Sequence, residues 1–185
     1  MVTRFIDERI DYTGEQLRSH WIYERFGIPG DAMVSFIGRC DVEFDEMVDL
    51  EDVLARSPIR SERMLHFIVE HFDVDLERAI LRQRLLMAII LDLLNRSVGS
   101  LLFRREGDDI FSDDAKLSVS IATCSPVSTL IHVGLNITTE NTPVKTAGLV
   151  DYGIDPKTLA RSIMKAYSDE IKGMTSARVK VRWVR

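Results

Sequence analysis

At 185 residues with a net charge of −5, the chain is long enough for a sizeable hydrophobic core, and its acidic balance excludes a general grip on nucleic-acid phosphates. Two cysteines without CxxC spacing exclude a disulfide framework and read as reduced, mostly buried thiols. The longest apolar run, Leu85–Leu91, falls far short of the roughly 20 residues a membrane span needs. Met1–Ile10 lacks the apolar centre of a signal peptide. One domain over residues 1–185 and a cytoplasmic location are therefore expected.

In chain order, Thr3–Ile6 reads as a short strand. A helix is expected from Thr13, which can cap it, through Leu17 and Trp21 to Phe26, stopped by Gly27, Pro29 and Gly30. Ala32–Ile37 is β-rich and closes at Gly38. Asp45, Glu46, Asp49, Glu51 and Asp52 then form an acidic patch around a short helix, Leu50–Ala55, ended by Ser57-Pro58. The patch reads as a solvated face. A Mg²⁺ or Ca²⁺ site is the alternative, but the spacing does not fit an EF-hand loop.

Met64–Phe72 alternates as a strand does. His66 and His71 then fall on opposite faces, which argues against a shared metal ion and for hydrogen-bonded histidines on a sheet. Asp73–Ser97 is the longest helix, capped by Asp73 or Asp75. Its apolar surface is broad enough to meet a sheet and a partner subunit, so a homodimer is one expectation. Lys116–Thr123 and Thr129–Thr138 are the two central strands. Thr138–Gly153 is a loop in which Pro143 breaks regular pairing. Asp155-Pro156 starts another helix, with Leu159, Ile163 and Tyr167 on its buried face. Ala177–Val184 alternates valines and Trp183 with Arg178, Lys180, Arg182 and the following Arg185, and reads as a basic-faced terminal strand. Strands in adjacent runs with a few helices imply an α+β fold, a mostly antiparallel sheet with helices packed against it.

The stretch Leu101–Thr138 carries the chemistry. Lys116, Ser118, Ser120, His132 and Asn136 put polar groups on strands that otherwise look like core. Lys116 is either an ion-pair partner of Asp108, Asp109 or Asp113, or a charge that stabilises an acyl or phosphoryl group. Arg104 and Arg105 are either a bidentate clamp for phosphate or carboxylate, or exposed strand-end residues. His132 is either a general base or a satisfied core histidine.

From Ile6-Asp7 and Tyr12-Thr13-Gly14 through MLHFIVEHF, GDDIF, KLSVSIAT and STLIHVGLNI, the chain resembles a prokaryotic family known as domain of unknown function 366. Three segments also resemble the catalytic domain of biotin protein ligases and lipoate ligases, which is related to the class II aminoacyl-tRNA synthetase core. RREGDDIF stands where those families carry Arg-Arg and a glycine run. Lys116–Ile121 is similar to their lysine strand, and His132–Ile137 to their Gly-Leu-Asn strand. The resemblance implies an acyl-adenylate pocket on an antiparallel sheet, with Lys116 beside the acyl carbonyl and phosphate. Gly134 would permit close backbone approach, and Asn136 would be structural or ligand-facing. Gly107 alone survives of the glycine run, and Asp108-Asp109 replace the rest, which disfavours a bare phosphate.

The reading is a ligase- or transferase-like enzyme that binds a small carboxylate or its acyl-adenylate. The expected catalytic residues are Lys116 and His132. The expected ligand-binding residues are Arg104, Arg105, Gly107, Asp108, Asp109, Ser118, Ser120, Gly134 and Asn136. No metal ligand is assigned, and ATP and Mg²⁺ are the cofactors to test. The alternatives are a non-catalytic metabolite-binding module on the same fold and a dimeric structural protein.

Overall fold

The computed structural model describes residues 1–56, 59–140, 142 and 144–184. The strands are β1 (Val2–Phe5), β2 (Ala32–Val42), β3 (Ile59–His71), β4 (Phe103–Glu106), β5 (Asp109–Ser112), β6 (Ala115–Lys116), β7 (Ser118–Cys124) and β8 (Thr129–Asn136). The helices are α1 (Trp21–Phe26), α2 (Leu50–Ala55), α3 (Leu76–Val98) and α4 (Pro156–Lys180), with a 3-10 turn at Leu149–Tyr152. Five strands form one sheet in the order β1-β2-β3-β8-β7. All its pairings are antiparallel except β1 with β2. β4, β5 and β6 form a second, small antiparallel sheet.

Period-two alternation sends the side chains of each central strand to two different cores. Met33, Leu65, Phe67, Val69, Ile131, Val133 and Leu135 face α3 and α4, where Leu86, Met87, Ile90, Ile163 and Tyr167 complete the first core. Val34, Phe36, Met64 and Ile68 face the other way and meet Tyr12, Trp21, Ile22 and Ile28 from the N-terminal segment. Full burial of a side chain such as Phe36 or Phe67 stabilises the fold by about 1.5–3 kcal/mol. The helices begin where capping chemistry permits. Asp75 accepts from Arg78 N ahead of α3, and Asp155 accepts from Thr158 N ahead of α4, with Pro156 opening that helix.

A β-bulge lies between Gly38 and Cys40 on β2. There the backbone of residues 10–12 crosses the strand, with Tyr12 N bonded to Arg39 O at 2.8 Å. A side chain at position 38 would stand 1.8 Å from the Ile10 carbonyl oxygen, so only glycine fits this crossing.

Several boundaries differ from the sequence reading. The helix expected from Thr13 is confined to Trp21–Phe26. Residues 13–20 form turns in which the Gln16 amide bonds Thr13 and the Asp11 carbonyl, and His20 takes a left-handed backbone. The strand expected over Lys116–Thr123 divides at Leu117: Lys116 pairs with Phe111 in the small sheet, while Ser118 onward pairs with β8. The expected terminal strand Ala177–Val184 is instead the end of α4, which runs to Lys180, followed by an irregular segment. Its side chains are exposed, so no buried face selects the strand period over the helical one. Cys40 is buried as expected, but Cys124 is exposed. Ser57-Pro58, Pro143 and Arg185, read above as helix stop, loop breaker and strand end, lie outside the described residues.

Candidate functional site

A cleft of about 440 Å³ opens on the sheet face opposite α3 and α4. Its floor is made by Tyr12, Met64, Val119 and His132, and one wall by the 46–52 segment with α2. The opposite wall holds Asp108, Asp109 and Lys116. Such a volume suits a small organic ligand.

The small sheet sets the second wall. Lys116 faces Phe111 across the β5–β6 pair, which makes Asp109 its diagonal neighbour. The Lys116 ammonium and an Asp109 carboxylate oxygen are 2.9 Å apart. Burial nevertheless holds the Asp109 carboxyl above its ordinary range; Lys116 opposes that shift, and Asp108 and Asp52 add to it. Asp52, reaching over from α2, is also raised, by burial first and then by Asp49, again against Lys116. The wall therefore carries more carboxylate than one ammonium can answer. Residues 145–147 support Lys116 from behind, with Lys116 N bonded to Lys145 O and Ala147 N bonded to Lys116 O, each at 3.0 Å.

Under the cleft lies a buried imidazole pair. His66 Nδ1 and His132 Nε2 are 3.1 Å apart, and the Tyr12 ring stacks on His132 with centroids at 3.7 Å. Burial pushes the His66 pKa down to about 3 and that of His132 well below its ordinary value, so both rings are neutral at pH 7. The neutral pair excludes His132 as a resting acid. It leaves His132 a ring that can accept or donate a hydrogen bond through Nδ1.

Of the residues singled out from sequence, Lys116, His132, Asp108, Asp109, Ser118, Ser120 and Asn136 line this cleft. Ser118 and Ser120 also serve the fold. Ser118 Oγ accepts from Ile110 N, and Ser120 Oγ donates to the Asp108 carbonyl and accepts from the Gln83 amide, which fastens β7 to the β5 edge and to α3. Asn136 Nδ2 bonds the Lys116 carbonyl at 3.4 Å.

Four of the expected ligand-binding residues do not line it. Arg104 is exposed, bonds Glu106 and the Asp113 carbonyl, and lies over the Phe111 ring. Arg105 is exposed and bonds the Gly107 carbonyl. Both arginines sit on β4, which forms the outer edge of the small sheet. Gly107 is the turn of the β4–β5 hairpin, at φ +59° beneath the Arg84 guanidinium. Gly134 does permit a close approach, but by the Met64 side chain: a Cβ there would stand 2.4 Å from Met64 Sδ.

The sequence reading did not place Tyr12, Met64 or Arg60 in the site, and it took the acidic patch as a solvated face. Glu46, Asp49, Glu51 and Asp52 of that patch line the cleft. The signal was present in five acids within eight residues beside a short helix, but what they face is set by the tertiary fold. Among the described residues, no three His, Cys, Asp or Glu side chains are grouped so as to hold a metal ion, and no helix is long and apolar enough to cross a membrane.

Comparison with known proteins shows the fold. A solved structure of a protein of unknown function from Pyrococcus horikoshi is 43% identical, covers 100% of both chains and superposes with a TM-score of 0.94. Biotin protein ligase from Aquifex aeolicus in complex with biotin is 14% identical, with a TM-score of 0.62 over 93% of this chain and 70% of that one. A candidate lipoate protein ligase from T. acidophilum with bound lipoic acid is 15% identical, with a TM-score of 0.62 over 93% and 86%. At these identities the likeness is one of architecture: this chain has an α+β, biotin/lipoate ligase-like fold. An uncharacterised protein of Methanocaldococcus jannaschii is 40% identical over 174 residues, which are 90% of this chain and 78% of that protein. The family defined as a domain of unknown function, DUF366, matches residues 1–182, and the chain belongs to that family.

Proposed function

We propose that the chain binds a small organic molecule in this cleft and acts on it as a ligase- or transferase-like enzyme. The observation that carries the reading is Lys116, a partly buried ammonium held 2.9 Å from Asp109 in the wall of a cleft floored by Tyr12 and His132. A partly desolvated cation beside a concavity stabilises negative charge that develops on a bound acyl or phosphoryl group. The fold supports the reading, since structural neighbours bind biotin and lipoic acid. ATP and Mg²⁺ are the co-substrates such chemistry would use.

A second reading, a non-catalytic binding module, is favoured by the arginines. With Arg104 and Arg105 exposed and outside the cleft lining, these two residues do not supply the bidentate clamp expected for phosphate or carboxylate. Thermal-shift and calorimetric titration with biotin, lipoate, fatty acids, amino acids and nucleotides, with and without Mg²⁺, tests both. Saturable binding that Lys116→Ala abolishes without loss of folding supports the site. Hydrolysis or exchange of ATP driven by the bound compound separates an enzyme from a binder. Unchanged affinity in Lys116→Ala would remove Lys116 from the site.

A further inference from the structure

The last turns of α4 stand clear of the rest of the chain. The helix runs antiparallel to β1: Lys157 and Arg161 lie over the Phe5 ring at the end of that strand, and Ser168 bonds the Met1 carbonyl at its start. From Lys172 to Val184 every residue is exposed. Helices in proteins owe most of their stability to a packed apolar face, and this end of α4 packs on nothing in its own chain. It nevertheless carries Met174, Val179 and Val181, the two valines 78% and 71% exposed. Residues 172–185 also hold Lys172, Arg178, Lys180, Arg182 and Arg185 and no acid, in a chain of net charge −5.

A second segment has the opposite charge and the same want of cover. Residues 43–54 hold Glu43, Asp45, Glu46, Asp49, Glu51 and Asp52 and no Lys or Arg. The α2 helix within this segment buries no residue. Its Leu50 and Leu54 are 73% and 84% exposed, and Phe44 and Val48 of the same segment are exposed as well. Exposed apolar side chains interleaved with charge of one sign, on two surfaces of opposite sign, match each other in both hydrophobic and electrostatic terms.

The two surfaces do not meet within one chain. Val2 pairs with Ala32, so α4 projects past the start of β2, whereas residues 43–54 follow its end at Val42. The 11 residues of β2 hold them roughly 30 Å or more apart, at about 3.3 Å per residue. Another molecule is needed to bring them together. A two-fold axis between antiparallel copies joins both pairs of surfaces at once and closes the assembly.

We propose that the chain forms a two-fold dimer in which the basic, apolar end of α4 of each copy docks on the acidic, apolar 43–54 segment of the other. In each contact Met174, Val179 and Val181 cover Leu50 and Leu54, and Arg178, Lys180 and Arg182 answer the carboxylates between them. Because α2 is also a wall of the cleft, the docked helix end braces that wall from outside.

The test is light scattering and sedimentation velocity of the full chain over a range of concentrations, at low and high salt. A dimer is expected, and high salt weakens it by roughly tenfold or more. Two charge-reversed variants locate the contact: Arg178→Glu/Lys180→Glu/Arg182→Glu in α4, and Glu43→Lys/Asp45→Lys/Glu51→Lys in the acidic segment. All six side chains are exposed, so both variants keep the fold, which circular dichroism checks. Each variant alone is expected to be monomeric. An equimolar mixture of the two is expected to regain the dimer, because both contacts then pair opposite charges again. A parent chain that stays monomeric at every concentration overturns the proposal, as does a dimer that either variant leaves intact, or a mixture that stays monomeric. Monomers that instead bind phosphatidylserine vesicles through the α4 residues overturn it in favour of an anionic membrane surface. The cleft as a ligand site is tested separately, by the ligand titrations, and stands or falls with those.

Discussion

His66 on β3 and His132 on β8 share one hydrogen bond, at 3.1 Å, in the interior of the sheet. They are diagonal neighbours, because His66 pairs with Gly134 and Ile68 with His132. The pair lies directly beneath the Tyr12 ring and gives the cleft a polar floor within an apolar layer.

That pair makes stability pH-dependent. The folded-state pKa of His66, about 3, lies below its ordinary value of 6.5, so between the two the unfolded chain binds more protons and acid favours unfolding. The stability present above pH 6.5 is lost as pH falls toward 3, by roughly 5 kcal/mol for His66, and His132, lowered by the same burial, loses stability in the same direction. Denaturant unfolding at a series of pH values measures it. A His66→Gln, His132→Gln double variant is expected to show a much flatter profile between pH 6.5 and 4, and an unchanged slope would refute the assignment.

Tyr12 is held by its ring. Its hydroxyl makes no hydrogen bond with the described residues, and the ring stacks on His132 and lies 5.4 Å from His66. Tyr12→Phe is expected to change stability by less than about 1 kcal/mol, and Tyr12→Ala to cost about 3–5 kcal/mol. Equal losses in the two variants would mean that the hydroxyl, not the ring, is what matters.

Two glycines separate backbone constraint from side-chain constraint. At Gly38 a Cβ meets the Ile10 carbonyl, which cannot move without undoing the bulge. At Gly134 it meets the end of the Met64 side chain at 2.4 Å and Val119 Cγ2 at 3.1 Å, and a thioether can rotate away. Gly134→Ala is expected to cost about 1–3 kcal/mol and still fold, whereas Gly38→Ala loses the native state. Circular dichroism melts of the two variants decide it, and the reverse order would contradict the crossing described here.

On the opposite face of the sheet, a partly exposed Asp31 and the buried His71 and Tyr167 form a chain that pins α4 to β3, with His71 Nδ1 3.0 Å from Asp31 and His71 Nε2 3.0 Å from the Tyr167 hydroxyl. Bonding to His71 holds the Asp31 carboxyl down at about 2. Tyr167→Phe is expected to cost about 1–2 kcal/mol by stranding a buried imidazole nitrogen. A variant as stable as the parent would show that the hydroxyl contributes nothing.

The sheet was legible because alternation reports burial directly: Leu65, Phe67 and Val69 on one face of β3 required a strand. His66 and His71 do fall on opposite faces, as the alternation implied. What alternation cannot report is register. The same Lys116–Thr123 pattern contains a change of sheet at Leu117, which is fully buried and leaves no polar mark on the switch. The valines and Trp183 near the C-terminus alternate as in a strand, yet α4 continues to Lys180 because nothing there is buried to choose a period. In the cleft, Lys116 beside Asp109 was foreseeable from the short hairpin between them. The contribution of Asp52 and Tyr12 was not, because residues 64 and 120 positions distant in sequence from Lys116 and His132 meet only through the tertiary fold.

The most direct test of the cleft as a ligand site is a crystal structure of the protein soaked with the compound that stabilises it most in the thermal screen. Difference density against Tyr12 and His132, with contacts to Lys116, Asp109 or Asp52, is the predicted result. Density confined to another surface, with the cleft holding only solvent, would contradict it.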